Sequence, residues 1–328
     1  MKQLISDFSS HIKQAISVGK ETAFNRSEKE IRNVVICGLG GSGIGGTISS
    51  QLLKNSAKVP ILVNKDYHIP SFVNENSLVV CCSYSGNTEE TLNMYNEAVA
   101  KNAEIAIITS GGEFAELAKQ KGHNIISILG GLPPRAAFGF TFPQLFFVLK
   151  KYKLIDATFI DEFNSAITIL DEEETNIRIE AKKVSDTLFG KLPIIYSDVD
   201  LEGVAIRFRQ QINENAKMLC WHNRIPEMNH NELVGWRTKN KDLAVVIFRW
   251  EKDYYRNQER IEYSKKIISN YAGSITEVFA KGKTHLAAVV YLIHLGDWVS
   301  FFLAERNGVD VVEVNVITGL KETLAALQ

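Results

Sequence analysis

From residue 31 onward, short apolar runs alternate with segments of helical periodicity. Asn33–Cys37 reads as a strand, followed by a glycine-rich turn and a helix through about Lys54. Val59–Asn64 and Ser77–Ser83 read as the next two strands, with a helix beginning near Glu89. A strand at Ile105–Thr109, a helix at Glu113–Lys121 and a strand at Asn124–Leu129 continue the order, and helical pattern fills most of Phe142–Leu188. The alternation then restarts: strand Leu192–Ser197, helix Val204–Cys220, strand Leu243–Arg249, helix Tyr254–Ser269 and strand Ser274–Ala280. A long helix at about Thr284–Asn307 and a tail helix at Gly319–Leu327 close the chain. Strands that alternate with helices imply crossover connections and parallel sheets. The pattern therefore predicts an α/β protein of two doubly wound parallel-sheet domains, residues 31–153 and 154–328, after an amphipathic helical segment at 1–30. The order of elements suggests a duplication, although no residue-level repeat accompanies it.

Composition narrows the picture. With 45% hydrophobic and 23% charged residues over 328 positions, the chain can fill one or two sizeable cores. Lys+Arg 37 against Asp+Glu 38 leaves a net charge of -1, which argues against nucleic acid or an anionic membrane as the main partner. A small anionic ligand needs only a few local groups. Cys37, Cys81 and Cys82 fall in strand-like apolar runs and read as buried hydrophobes in a reducing compartment. The N-terminus has no signal-peptide core, and His285–Ala304 carries His294 and Asp297 inside its apolar run. The expectation is a soluble, cytoplasmic protein whose apolar helix is buried.

Two loops carry chemistry. Gly38-Leu-Gly-Gly-Ser-Gly-Ile-Gly-Gly46 joins a strand to a helix, where glycines allow close approach and free N–H groups attract an anion. Gly38, Gly40 and Gly43 fit the dinucleotide fingerprint, with Asp66 at about the distance of a ribose-binding acid. A tight turn with no ligand fits equally. Ser83-Tyr-Ser-Gly-Asn-Thr88 adds hydroxyls at a second helix start, and these suit a terminal phosphate monoester better than a pyrophosphate. Thr88 alternatively serves only as an N-cap.

These loops resemble the sugar isomerase (SIS) domain family, whose hallmark is a Ser-x-Ser-Gly-x-Thr loop. Gly40-Gly-Ser-Gly43, Ser83–Thr88, Pro134-Arg135, Glu214, Asn229-His-Asn-Glu232 and Lys321 together resemble the bifunctional phosphoglucose/phosphomannose isomerases. The resemblance runs from about residue 31 to the C-terminus and implies two SIS domains of flavodoxin-like αβα sandwich form. It implies interconversion of glucose 6-phosphate and mannose 6-phosphate with fructose 6-phosphate through a cis-enediolate, without metal or redox cofactor. Such a reaction needs an acid–base pair to open the ring, one base to move a proton between C1 and C2, and cationic donors for the developing oxyanion.

By the resemblance, Gly41, Ser42, Ser83, Ser85 and Thr88 hold the phosphate, Glu214 shuttles the proton and Arg135 steadies the enediolate. His230 opens the ring from the partner subunit of a homodimer, with Lys321 at the same step. Asn229, Asn231 and Glu232 flank His230 as orienting groups. Taken singly, Glu214, His230, Arg135 and Lys321 also read as solvated or structural residues.

Other classes fit less. Seven scattered histidines without HxxxH or CxxC spacing make a poor ligand supply for a metal near His222 and Asn229–Glu232. A nicotinamide enzyme leaves Ser83–Thr88 unexplained. A SIS isomerase of an amino sugar or pentose phosphate, or a sugar-phosphate-binding module without turnover, remains open. No basic helix-turn-helix accompanies the second possibility.

Overall fold

A computed structural model describes residues 1–25 and 27–327. The chain divides into two compact units. One comprises Gln3–Glu174 with Ala280–Leu292, and the other Met1–Lys2, Thr175–Phe279 and Ile293–Gln328.

The first unit holds strands β1 (Asn33–Cys37), β2 (Ile61–Asn64), β3 (Ser77–Cys82), β4 (Glu104–Thr109) and β5 (Asn124–Ser127). They form one parallel sheet in the order β2-β1-β3-β4-β5. A parallel sheet is covered on both faces, which is why its strands are near-continuous apolar runs. Val35, Cys37, Val79, Cys81, Ile105 and Ile107 pack with Met94, Tyr95, Ala98 and Phe114 in one core cluster. Burial pushes the Cys37 thiol up to about 12, so it serves as packing and not as a nucleophile.

The helix Phe138–Lys151 is buried from Phe138 through Leu149, and its Phe142 and Phe146 rings meet Phe163 edge-on. The N-terminal helix Phe8–Glu21 packs against it. Gln144 donates to the Ala15 carbonyl at 2.8 Å, and a Cβ on Gly19 would come within 2.2 Å of Phe147.

The second unit holds β6 (Leu192–Asp198), β7 (Trp221–Ile225), β8 (Asn240–Arg249) and β9 (Ala272–Phe279), parallel in the order β7-β6-β8-β9. Ile194, Tyr196, Val245 and Ile247 form its core with Met228, Trp236, Ile261 and Ile268. β7 begins immediately after the predicted helix end at Cys220, in a stretch where the pattern marks no strand. The α-helix stops at Gln211 instead. The difference has a physical origin: β7 is an edge strand of mostly polar residues, so it presents no apolar run. Its polar side chains are answered by residues distant in the sequence, Arg224 by Glu202 and both Trp221 and Asn223 by Glu232.

The tail helix also differs from expectation, spanning Asn315–Ala325 and so starting before Gly319. The Glu313 carboxylate accepts from the Asn315 backbone N–H, one of the leading donors that the helix itself leaves unbonded. The apolar helix His285–Asn307, long and apolar enough to cross a membrane, has 94% of its most hydrophobic window buried within the fold.

Candidate active site

In an open parallel sheet, ligands bind beyond the carboxyl ends of the strands where the strand order reverses. In the first sheet that point lies between β1 and β3. The helices Gly40–Leu53 and Glu89–Ala100 follow these two strands, and neither has a side-chain cap bond. Side chains thus leave these helix starts to an anion, although the Ser42 N–H already donates to the Leu39 carbonyl at 3.1 Å.

Packing explains the glycines. A Cβ on Gly43 would lie 2.2 Å from the Gly38 carbonyl oxygen, so the turn closes only without one. Gly86 has φ +76, and a Cβ there would meet the Gly111 carbonyl oxygen at 1.8 Å.

The hydroxyls converge on this turn. Ser83 Oγ and Thr88 Oγ1 share a hydrogen bond of 2.8 Å, and Ser83 Oγ accepts from Gly86 N–H at 3.1 Å. Thr88 occupies the N-cap position, yet its hydroxyl turns to Ser83 and not to its own helix. Ser42 Oγ accepts from Tyr84 N–H at 3.3 Å, which ties the glycine loop to the hydroxyl loop. Ser83 is buried, Ser42 and Thr88 are half-buried and Ser85 is exposed.

Arg135 belongs to the same unit and is only 4% exposed. It lies in the short helix Pro134–Ala137, whose backbone approaches Gly41: a Cβ there would be 3.4 Å from Arg135 Cα. The Tyr84 hydroxyl accepts from Leu132 N–H at 2.9 Å, pinning the segment before Arg135 to the hydroxyl loop. Gly41, Ser42, Ser83, Ser85, Thr88 and Arg135 thus come from loops joined to one another. Asp66 is exposed and accepts from Tyr67 N–H, within its own loop.

Glu214, His230 and Lys321 lie in the other unit. Glu214 sits in a π-helical turn, Ile212–Ala216, that follows the helix Glu202–Gln211. Such turns insert a residue into a helix and are frequent at functional sites. The turn is anchored from several directions. Upstream, Arg207 and Gln211 both donate to the buried Asp297 carboxylate, at 2.7 and 2.9 Å. Asn215 donates to Ser300 Oγ, and Asn307 to the Ala216 carbonyl. Lys217, with φ 58, ends the turn. Its ammonium donates to the carbonyls of Glu214 and Glu313 at 2.6 and 2.5 Å. The Glu214 side chain itself is half-buried.

His230 ends the short helix Glu227–His230 and is exposed, while its neighbours are fastened. Asn229 donates to Ser264 Oγ, Asn231 to Glu227, and Glu232 accepts from Tyr196, Trp221 and Asn223. Burial first, then the adjacent Glu232 charge, holds the Tyr196 phenol protonated far above its usual range. Lys321 is exposed on the tail helix. Among the described residues, no three His, Cys, Asp or Glu side chains converge as metal ligands.

A family model for the bacterial phospho-glucose isomerase C-terminal SIS domain matches residues 177–324. A bifunctional phosphoglucose/phosphomannose isomerase of Caldicellulosiruptor bescii is 36% identical over 342 aligned positions, covering 100% of both chains. The chain belongs to the bifunctional phosphoglucose/phosphomannose isomerase family. A second relative of that name, from Aquifex aeolicus, is 37% identical over 89% of this chain and 90% of its own. The fold is shared more widely. The C-terminal domain of glucosamine-fructose-6-phosphate aminotransferase from Francisella tularensis matches with a TM-score of 0.78 at 16% identity, covering 95% of this chain and 98% of that one.

Within this phosphoglucose/phosphomannose isomerase family member, several supporting residues escape sequence reading. Lys217 has a weak signal, a lone cation closing the polar stretch that carries Glu214. Tyr84 has none, because its hydroxyl bonds a backbone N–H 48 positions away.

Proposed function

We propose that this chain is a sugar-phosphate isomerase that interconverts glucose 6-phosphate and mannose 6-phosphate with fructose 6-phosphate. The observation that carries the reading is the pair of uncapped helix starts at one switch point, fronted by Ser42, Ser83 and Thr88. That arrangement suits a phosphate monoester, whose oxygens take several donors at once. The hexoses come from the names of full-length relatives.

In this reading Gly41, Ser42, Ser83, Ser85 and Thr88 bind the phosphate. His230 of the partner subunit and Lys321 open the ring by moving a proton between the C1 hydroxyl and the ring oxygen. Glu214 takes the proton from C2 and returns it to C1, and Arg135 steadies the negative charge on the cis-enediolate oxygens. Its burial in the first unit raises the strength of that interaction over one in bulk water. Acceptance of both C2 epimers follows if the C2–C3 bond turns so that Glu214 addresses either face. The chemistry asks for no metal or redox cofactor. The active species is a cytoplasmic homodimer, and the N-terminal residues 1–30 and the ranges 31–153 and 154–328 act together in it.

The test is fructose 6-phosphate formation by EDTA-treated protein, offered glucose 6-phosphate and mannose 6-phosphate separately. Turnover of both is expected. Turnover of glucose 6-phosphate alone removes the epimer tolerance, and binding without turnover would make the protein a sugar-phosphate-binding module.

A further inference from the structure

The exposed His230 imidazole is carried on a turn whose strongest attachment is the carboxylate two residues on. Glu232 Oε1 accepts from the Tyr196 hydroxyl at 2.5 Å and from Trp221 Nε1 at 3.0 Å, while Oε2 accepts from Asn223 Nδ2 at 2.7 Å. Tyr196 is 1% exposed on the central strand β6, and its hydroxyl also accepts from the buried Trp236 indole at 3.2 Å. Trp221 and Asn223 are alternate residues of β7, so their side chains share a face of the sheet. Both carboxylate oxygens are therefore held by two adjacent strands. A carboxylate makes stronger bonds to such donors than a neutral amide does.

The other end of the turn is held by Asn229 on Ser264 and by the fully buried Met228. Between these anchors, Asn231 Oδ1 accepts from the Glu232 backbone N–H at 2.6 Å, and its amide donates to Glu227. Like Glu227 and Asn231 in the same segment, His230 is exposed. The backbone that carries it is pinned on both sides, which limits the imidazole to its own χ rotations.

We infer that Glu232 is a positioning residue for His230, clamping the His230 turn to β6 and β7 through Tyr196, Trp221 and Asn223. The inference rests on the reading that His230 opens the sugar ring. A displaced imidazole slows that step, because general acid–base transfer requires hydrogen-bond reach of the proton. Substrate affinity, set at the phosphate end, is left alone.

The experiment compares the full-length protein with Glu232→Gln, Glu232→Ala, Trp221→Phe and His230→Ala, using glucose 6-phosphate labelled with deuterium at C2. Glu232→Ala is expected to lower kcat about tenfold or more with KM within about twofold. The isotope effect should fall toward unity as ring opening becomes limiting. Glu232→Gln keeps two acceptor bonds and should restore part of both readouts, and Trp221→Phe should move them slightly in the same direction. In the His230→Ala background Glu232→Ala should cost nothing further, since a residue acting through another shows full coupling. A purely structural role would reduce the active fraction and leave the isotope effect unchanged, and that result overturns the inference. Should Glu232→Ala fail to fold, Trp221→Phe and Glu232→Gln carry the same comparison. If His230→Ala retains wild-type turnover, the ring-opening reading itself falls. If His230→Ala is impaired while the Glu232 and Trp221 variants keep the wild-type isotope effect, the positioning inference alone falls.

Discussion

The side-chain amide of Asn215 donates to Ser300 Oγ at 2.9 Å, and the Ser300 hydroxyl donates onward to the Asp297 carbonyl at 2.7 Å. With its proton committed, Ser300 can only accept from residue 215. Asn215→Asp therefore sets a carboxylate against an oxygen with no hydrogen for it, at a site with 0% exposure. Ser300→Ala leaves an amide donor buried without that acceptor. Each change is expected to destabilise the protein by roughly 1–3 kcal/mol, with Asn215→Asp the worse. Denaturant midpoints measure the loss. Because Glu214 is the adjacent residue of the same turn, kcat should fall further than the lost folded fraction accounts for.

Glu214→Gln is expected to abolish isomerisation while leaving hexose-phosphate binding within about threefold, since the amide keeps the shape and loses the basicity. Calorimetric titration with fructose 6-phosphate, alongside the coupled assay, checks both halves. Substantial residual turnover would assign the proton transfer to another group.

Ser85→Ala and Thr88→Ala should act mainly on KM. Each removes a hydroxyl that would donate to a phosphate oxygen, a charge-assisted bond worth roughly 1.5–3 kcal/mol. Thr88→Ala also deprives Ser83 of its 2.8 Å partner and should have the larger effect. Steady-state kinetics of the two variants would refute the phosphate assignment if KM stayed at the wild-type value in both.

Most of the fold is legible in the chain, and the exceptions share a cause. β1 and β3 stand out because both faces of a parallel strand are buried, so Val34–Cys37 and Leu78–Cys82 are unbroken apolar runs. β7 is hidden because Trp-His-Asn-Arg-Ile at a sheet edge is stabilised by Glu202 and Glu232, residues far from it in the pattern. The π turn at Ile212–Ala216 is hidden because one extra residue per turn leaves no mark on hydrophobic spacing. The site divides the same way. Ser83, Ser85 and Thr88 announce themselves by composition, whereas Tyr84 and Lys217 reach the Leu132 N–H and the Glu313 carbonyl, backbone groups brought near only by folding.

At the second sheet's switch point, Asp253 gives a pH prediction. It is 7% exposed, and burial pushes its carboxyl up to about 7, with the Trp250 N–H opposing and the Asp198 charge adding to the rise. The folded protein therefore holds this proton more tightly than the unfolded chain. The resulting stability is complete below the unfolded carboxylate pKa of about 4 and is lost as pH climbs through about 7. Asp253→Asn should be more stable than wild type at pH 8.5, by on the order of 3 kcal/mol, and lose that advantage at pH 4. Its amide oxygen can still accept from Trp250 N–H, the bond that Asp253 makes at 2.9 Å. Urea midpoints at the two pH values measure the crossover.

That cluster also distinguishes the second sheet from the first. Between β6 and β8, the place that mirrors the proposed phosphate turn of the first sheet is occupied by the protein's own carboxyl groups. Asp198 accepts from Asp200 N–H and Asn257 Nδ2, and Asp253 from Trp250 N–H. The Asp198 carboxylate would repel an incoming phosphate there, and Asp200 N–H, Asn257 Nδ2 and Trp250 N–H already have acceptors. On the proposed assignment only the first sheet holds the phosphate, and equilibrium dialysis with a hexose phosphate should count a single equivalent per chain.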